Sequence, residues 1–300
     1  MPGRGGLPER DGVRPARLRL PPGDWLTVLD YLLARFPRDA ARLREKVAAG
    51  EVVDAVGSPI TADTPYIAGG FAVLHRDLPD EVEVPFAMPV LHRDDDLLVV
   101  DKPHFLATAP RGSHVRQTAL VRLRCEFDLP YLSPAHRLDR LTAGVLIFTV
   151  RTEVRRDYQT LFASRRVHKR YEAIAGHNPD LSLPRTVRSR IVKDVGVLQA
   201  REVPGQPNAE TVVELAEVRG GFARYRLTPI TGKTHQLRVH LDALGIPIVG
   251  DPLYPTVRAA APDDFTDPLR LLARAVEFTD PRSGVLRRFE SERSLAWPAP

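Results

Sequence analysis

Two runs of this chain are apolar at every position, Leu97-Leu98-Val99-Val100 and Val145-Leu146-Ile147-Phe148. Neither approaches membrane-spanning length, so both read as buried strands. Alternating segments over 170–175, 211–218 and 222–227 read as further strands, with short strand-like pieces over 51–56 and 66–74. Helical spacing covers 25–36, through Leu26, Leu29, Leu32, Leu33 and Phe36, and then about 38–49, 117–127 and 153–163. A last helix over 234–244 has Leu237, Leu241 and Leu244 on one face and Gly245 as its stop. Strands outnumber helices and do not alternate strictly with them. The expected fold class is therefore α+β, with a mixed, largely antiparallel sheet and flanking helices.

A chain of 300 residues with 43% hydrophobic content can bury a main domain plus a smaller one. The segment 1–22, rich in Gly, Pro and Arg, reads as a flexible basic tail, partly extended near Arg17–Leu20. Residues 23–85 read as a small N-terminal module and 86–300 as the main domain. The net charge of +5 permits an anionic partner such as nucleic acid. Most of the basic residues are arginine, whose planar fork suits phosphate and base edges. A single cysteine, Cys125, rules out an intrachain disulfide framework and argues against a Cys-based zinc site. The N-terminal segment lacks the apolar core of a signal peptide, so the expectation is a soluble cytoplasmic protein.

The segment richest in chemistry is Pro134-Ala-His-Arg-Leu-Asp-Arg-Leu-Thr-Ala-Gly-Val-Leu-Ile-Phe148. His136, Arg137, Asp139 and Arg140 directly precede an apolar strand. Nearby positive charge favours an ionised carboxylate, which makes Asp139 a candidate nucleophile or base. Taken by itself, the segment reads as a salt-bridge cluster.

The wider pattern resembles the RluA-type RNA pseudouridine synthases. His-Arg-Leu-Asp followed by Thr-x-Gly-Val-Leu matches their signature, with Ala143 where the family usually has Ser. Further segments follow in the family's order: Asp-Leu-Leu-Val-Val-Asp-Lys-Pro ending at Pro103, and Lys-Arg-Tyr-Glu-Ala ending at Ala173. Then come Thr-Gly-Lys-Thr-His-Gln-Leu-Arg-Val-His ending at His240, and Gly-Asp-Pro-Leu-Tyr ending at Tyr254. The resemblance spans roughly the last two-thirds of the chain. Arg274 stands where a Leu-His-Ala pattern is common.

The resemblance implies a pseudouridine synthase fold with a central active-site cleft and isomerisation of uridine to pseudouridine. Asp139 would be the nucleophile. Tyr171 would stack on the uracil and serve in removing the C5 proton, and Arg238 would pair with Asp139. Arg137 would help displace the target base, because chemistry on a base requires it to be flipped out. RNA contacts would come from Arg137, His136, Arg140, Lys102, Lys169, Lys233, His235 and Gln236. No metal or organic cofactor is implied, since the bond exchange is redox-neutral. The expected partner is RNA, ribosomal or transfer, with no membrane, no protein partner and a monomeric chain. The segment from Lys102 to Cys125 has no acidic residue, and 151–170 carries seven basic residues against two acidic ones, which suits a phosphate track. Residues 23–85 resemble the small S4 RNA-binding module, though the usual basic helix contains Asp39 and Glu45.

Rival chemistries fit less well. Gly232-Lys-Thr lacks the preceding glycine of a P-loop, because Leu227 occupies that place. His235 and His240 are not in an HExxH arrangement. Glycoside hydrolysis would need a second acid near Asp139, where arginines stand instead. The remaining alternative is an RNA-binding or ribosome-assembly protein with this fold and no turnover.

Overall fold

The computed structural model describes residues 7–78, 80–259, 261 and 263–298. The chain divides into two compact units, Met1–Asp80 and Glu81–Pro300.

The first unit contains strand β1 (Ala16–Arg19), helices α1 (Val28–Arg35) and α2 (Ala40–Ala48), and strands β2 (Val52–Val53) and β3 (Phe71–Leu74). The sheet order is β1-β3-β2. Thr27 and Asp30 form a reciprocal capping box that starts α1 and satisfies two otherwise free amides. Leu32, Leu43, Val47, Val52 and Ala72 form the core. The tail expected over 1–22 therefore ends earlier. Leu18 pairs with Ala72 across the sheet and Leu20 is buried, because alternate apolar side chains of β1 can be covered by the helices. Residues 1–6 of that tail lie outside the described residues. In α2, Arg42 pairs with Asp77 and Glu45, while the buried Lys46 pairs with Asp77 and Glu51.

The second unit is built on an eleven-stranded sheet. Its elements run β4 (Val90–Arg93), β5 (Leu97–Lys102), α3 (Ala119–Phe127), β6 (Ser133–Pro134), β7 (Ala143–Thr149), α4 (Arg155–Ala163) and β8 (His168–Gly176). There follow β9 (Arg185–Val192), β10 (Arg201–Val203), β11 (Ala209–Arg219), β12 (Phe222–Pro229), α5 (Gln236–Ala243), β13 (Leu271–Thr279) and β14 (Leu286–Glu290). The order is β10-β9-β11-β12-β8-β13-β7-β5-β4, with β14 beside β13 and β6 beside β7. Pairing is antiparallel except between β13 and β7. The fold is α+β with a mixed, largely antiparallel sheet, as expected.

The two fully apolar runs are the centre of this sheet. Side chains alternate between faces along a strand. Leu98, Val100, Leu146 and Phe148 meet α3 and α5 through Leu120, Leu123, Leu237 and Leu241. Leu97, Val99, Val145 and Ile147 point the other way, onto Tyr158 and Leu161 of α4 and Phe278 of β13. Both faces are covered, which is why these runs are apolar at every position. Gly144 lies at φ 112° where β7 meets β13, and a Cβ there would strike the Ala273 carbonyl.

The two departures from the family pattern have local explanations. Ala143 is fully buried against Ile174, Leu272 and Leu295, an apolar site that a hydroxyl would not suit. Arg274 grips Glu172 through two hydrogen bonds of 2.8 and 2.9 Å and donates to the Ser291 and Arg293 carbonyls, tying the C-terminal segment to the sheet.

Candidate active site

Asp139 sits in the loop that leads into β7, and the carbonyls of that loop are held from below. The Lys102 ammonium donates to the Arg140 carbonyl at 3.3 Å, as well as to those of Pro103 and Leu106. Thr108 donates to the Leu138 carbonyl and accepts from its amide. A His104 ring nitrogen lies 2.7 Å from the Leu141 carbonyl. These contacts fix the backbone on either side of Asp139 while leaving its carboxylate free. Among the described residues nothing donates a hydrogen bond to that carboxylate; Arg238 Nη1 stands 3.9 Å away and His235 Nε2 4.0 Å away. An aspartate that is anchored by its backbone, with long ion pairs but no hydrogen bond at its oxygens, suits attack on an electrophile.

Arg238 projects from α5 and is 2% exposed. Its Nε and Nη2 donate to the two oxygens of Asp251 at 2.7 and 2.6 Å. Its primary partner is therefore Asp251, and Asp139 is reached only by the remaining nitrogen. The expected ion pair between Arg238 and Asp139 is present beside it at 3.9 Å, longer than the pair with Asp251. A buried guanidinium needs close compensation, which the bidentate carboxylate supplies. Asp251 also accepts from the amides of Leu253 and Tyr254, and the guanidinium carbon of Arg238 lies 5.2 Å from the centre of the Tyr254 ring.

A recess of ≈ 130 Å³ contains Asp139, Tyr171, Lys169, His235 and Arg238. It adjoins a wider cleft of ≈ 970 Å³ that shares Arg137, Asp139, Lys233, His235 and Arg238 and extends past Arg111, Arg140 and Lys193. Tyr171 comes from β8, the strand paired with β12 and β13. Burial, and then the negative charge of Asp139, push its phenol up, so the hydroxyl keeps its proton.

The expected RNA contacts divide by exposure. Arg137 and Lys233 are exposed at the cleft. Arg140 is part-buried there, with a long contact to the Phe105 carbonyl. Lys169 lines the recess with its ammonium on the Thr231 carbonyl. Three residues are interior supports instead. Lys102 has no exposed surface, and burial pushes its ammonium down to about 7. Gln236 is buried and bonds Thr231, Lys233, Glu210 and Thr211. His136 stacks on Phe162 and accepts the Ile147 amide at Nε2; burial pushes the ring down to about 3, so it is neutral. None of the three presents a cation to a phosphate. The expected basic track is also thinner than its sequence, because Arg122 and Arg124 donate to the backbone carbonyls of Val84 and Leu132.

Two site residues, Asp251 and Tyr254, carried no assigned role in the sequence reading. Their only signal is the Gly-Asp-Pro-Leu-Tyr motif. Among the described residues, no group of three or more His, Cys, Asp or Glu could hold a metal ion, and no helix is long and apolar enough to cross a membrane.

The fold has solved counterparts. Human RNA Pseudouridylate Synthase Domain Containing 1 superposes with a TM-score of 0.56 at 26% identity, over 72% of this chain and 86% of that one. The fold is that of the pseudouridine synthase class of isomerases. A family model for RNA pseudouridylate synthase matches residues 96–243. The dual-specificity RNA pseudouridine synthase RluA of Escherichia coli (strain K12) is 33% identical over 67% of this chain and 91% of that protein. Pseudouridylate synthase RPUSD2 of Mus musculus is 35% identical over 60% of this chain, but the match spans only 32% of that longer protein. The chain belongs to the RluA-type RNA pseudouridine synthases.

Proposed function

We propose that this protein isomerises uridine to pseudouridine in a structured RNA, with Asp139 as the nucleophile. The observation that carries the reading is the Asp139 carboxylate, anchored through its backbone, free of hydrogen bonds and faced by the buried Arg238 at 3.9 Å. The glycosidic C–N bond breaks with Asp139 engaged at the sugar or the base. The uracil turns and C5 bonds to the ribose. Tyr171 supplies the face on which the uracil stacks, and Arg238, held by Asp251, orients the carboxylate. The exposed Arg137 at the cleft mouth takes the place of the displaced base. Arg140, Lys169 and Lys233 add positive charge for the backbone phosphates.

Ribosomal RNA is the substrate class we favour, with transfer RNA as the second. The reaction needs no cofactor. We further propose that the protein acts as a monomer. The lone Cys125 fits a reducing cytoplasm.

The test uses cellular RNA tritiated at uridine C5, incubated with the wild type and with Asp139→Asn. Tritium release by the wild type alone is expected, with little change in thermal stability, because Asn keeps the shape and no hydrogen bond of the fold ends on the Asp139 carboxylate. Fractionating the RNA then identifies the substrate. RNA binding without release from any pool would favour the non-catalytic reading.

A further inference from the structure

Tyr254 is buried and lines neither the recess nor the wider cleft, yet it meets both groups that face Asp139. Its hydroxyl lies 2.8 Å from the Ala200 amide, which can only donate to it, and 2.8 Å from the Ala200 carbonyl, which can only accept. The single hydroxyl proton therefore goes to that carbonyl. His235 Nδ1, 3.0 Å from the same hydroxyl, must then be a donor. In the neutral imidazole this fixes the tautomer and holds Nε2 toward Asp139 Oδ2, 4.0 Å away. The Tyr254 ring stands at 90° to the His235 ring, and the Arg238 guanidinium carbon lies 5.2 Å from its centre.

The other end of this contact is Ala200, which closes the segment 193–200 between β9 and β10. Strand β10 is an edge strand and pairs with β9 over Arg201–Val203 alone. The base of the segment is seated on Tyr254 and its neighbour. Ala200 packs against the Tyr254 side chain, and the Gln199 amide donates to the Leu253 carbonyl. Beyond that base, Lys193, Val197 and Leu198 line the wider cleft that also holds Arg137 and Asp139. Val195, Val197 and Leu198 leave apolar side chains exposed there or beside it. Apolar surface at the rim of a basic cleft suits the faces of unstacked bases, which phosphate contacts would not need.

We propose that Tyr254 is a positioning residue whose hydroxyl carries the seating of RNA on segment 193–200 to His235 and Arg238, and so to the alignment of Asp139. The inference rests on the reading above. RNA resting on the segment fixes Ala200. Ala200 fixes the hydroxyl through both of its backbone groups, and the hydroxyl fixes the imidazole beside Asp139. The ring of the same tyrosine backs the Arg238 guanidinium, which Asp251 already grips. Tyr254 touches no reacting atom. The chemical step is thereby faster for RNA that reaches the segment than for RNA that does not.

The experiment measures single-turnover pseudouridine formation in the RNA identified by tritium release, as the rate at saturating RNA and the half-saturating RNA concentration. The proteins are the wild type, Tyr254→Phe, the tip variant Val197→Ala with Leu198→Ala, and the combination of all three changes. Phenylalanine keeps the ring and removes only the hydroxyl. We expect Tyr254→Phe and the tip variant each to lower the saturated rate by about 10-fold, well within what misplaced reacting groups cost. Tyr254→Phe should keep the half-saturating concentration of the wild type. The combination should be no slower than the slower of the two, because both cut one path. A saturated rate like that of the wild type in either variant, or losses that multiply in the combination, would overturn the assignment. Should Tyr254→Phe not fold, the tip variant decides: a loss at saturating RNA supports the role, and a loss confined to the half-saturating concentration refutes it. A wild type that makes no pseudouridine refutes the parent reading and this one together, whereas an active wild type with multiplying losses refutes only this one.

Discussion

Arg238 and Asp251, thirteen residues apart in the chain, form a buried two-point ion pair that reaches from α5 to the loop after it. The pair leaves one guanidinium nitrogen directed at Asp139. It thereby joins the Gly-Asp-Pro-Leu-Tyr motif, which makes no direct contact with the Asp139 carboxylate, to the orientation of the proposed nucleophile. Asp251→Asn removes the charge but keeps the shape. Breaking one partner of a buried pair costs about 3–5 kcal/mol. We expect a loss of that order in urea denaturation, with pseudouridine formation falling at least as far as in Arg238→Met. A variant of wild-type stability would show that solvent or another group compensates Arg238.

Lys102 supports the Asp139 loop from inside rather than binding RNA. Lys102→Met leaves three carbonyls short of a donor, and we expect a cost of about 2–4 kcal/mol in urea denaturation. RNA affinity and its salt dependence should stay as in the wild type. A reduced salt slope would place Lys102 on the phosphates instead.

Gly144 permits the close approach of β7 and β13 behind the Asp139 loop. Gly144→Ala meets both the positive φ and the Ala273 carbonyl, so a loss on the order of 3 kcal/mol is expected in thermal or urea unfolding. Gly50, at φ 71° with open space around it, is the control. Its Ala variant carries the backbone strain without the collision and should lose clearly less.

Burial holds three histidines neutral: His136, pushed down to about 3, and His104 and His240, each to about 4. Above pH 6.5 these rings are neutral both folded and unfolded and contribute nothing to the pH dependence. As pH falls from 6.5 to about 4, the unfolded chain gains protons that the fold refuses, so stability is lost. Each ring contributes at most about 1.4 kcal/mol per pH unit across that window. The check is the imidazole resonances of the folded protein, which should not titrate above pH 5. A midpoint near 6.5 for any of the three would mean that its ring is solvated.

The sheet centre was legible because of its burial. Strands covered on both faces are apolar at every position, so Leu97–Val100 and Val145–Phe148 could mean little else. Helix spacing was equally plain, with ends displaced by a few residues where caps such as Thr27 and Thr118 decide the first turn. Among the strands that the spacing does not predict, β9 and β14 carry charged residues at exposed positions, and only their neighbours make them strands. The order of the family-like motifs points to Asp139, Tyr171 and Arg238, which the fold brings to one recess.

What the sequence determined by itself is the fold class and the residue types available for chemistry, because periodicity and local motifs are properties of neighbours along the chain. Only the tertiary structure decided what those residues do. Lys102, His136 and Gln236 look like polar contacts for RNA in a string of letters, yet each is satisfied by protein groups inside the fold. The imidazole tautomer of His235 depends on Tyr254 and Ala200, nineteen and thirty-five positions away. Burial and hydrogen-bond partnership are set by distances in space, and those distances exist only after the chain has folded.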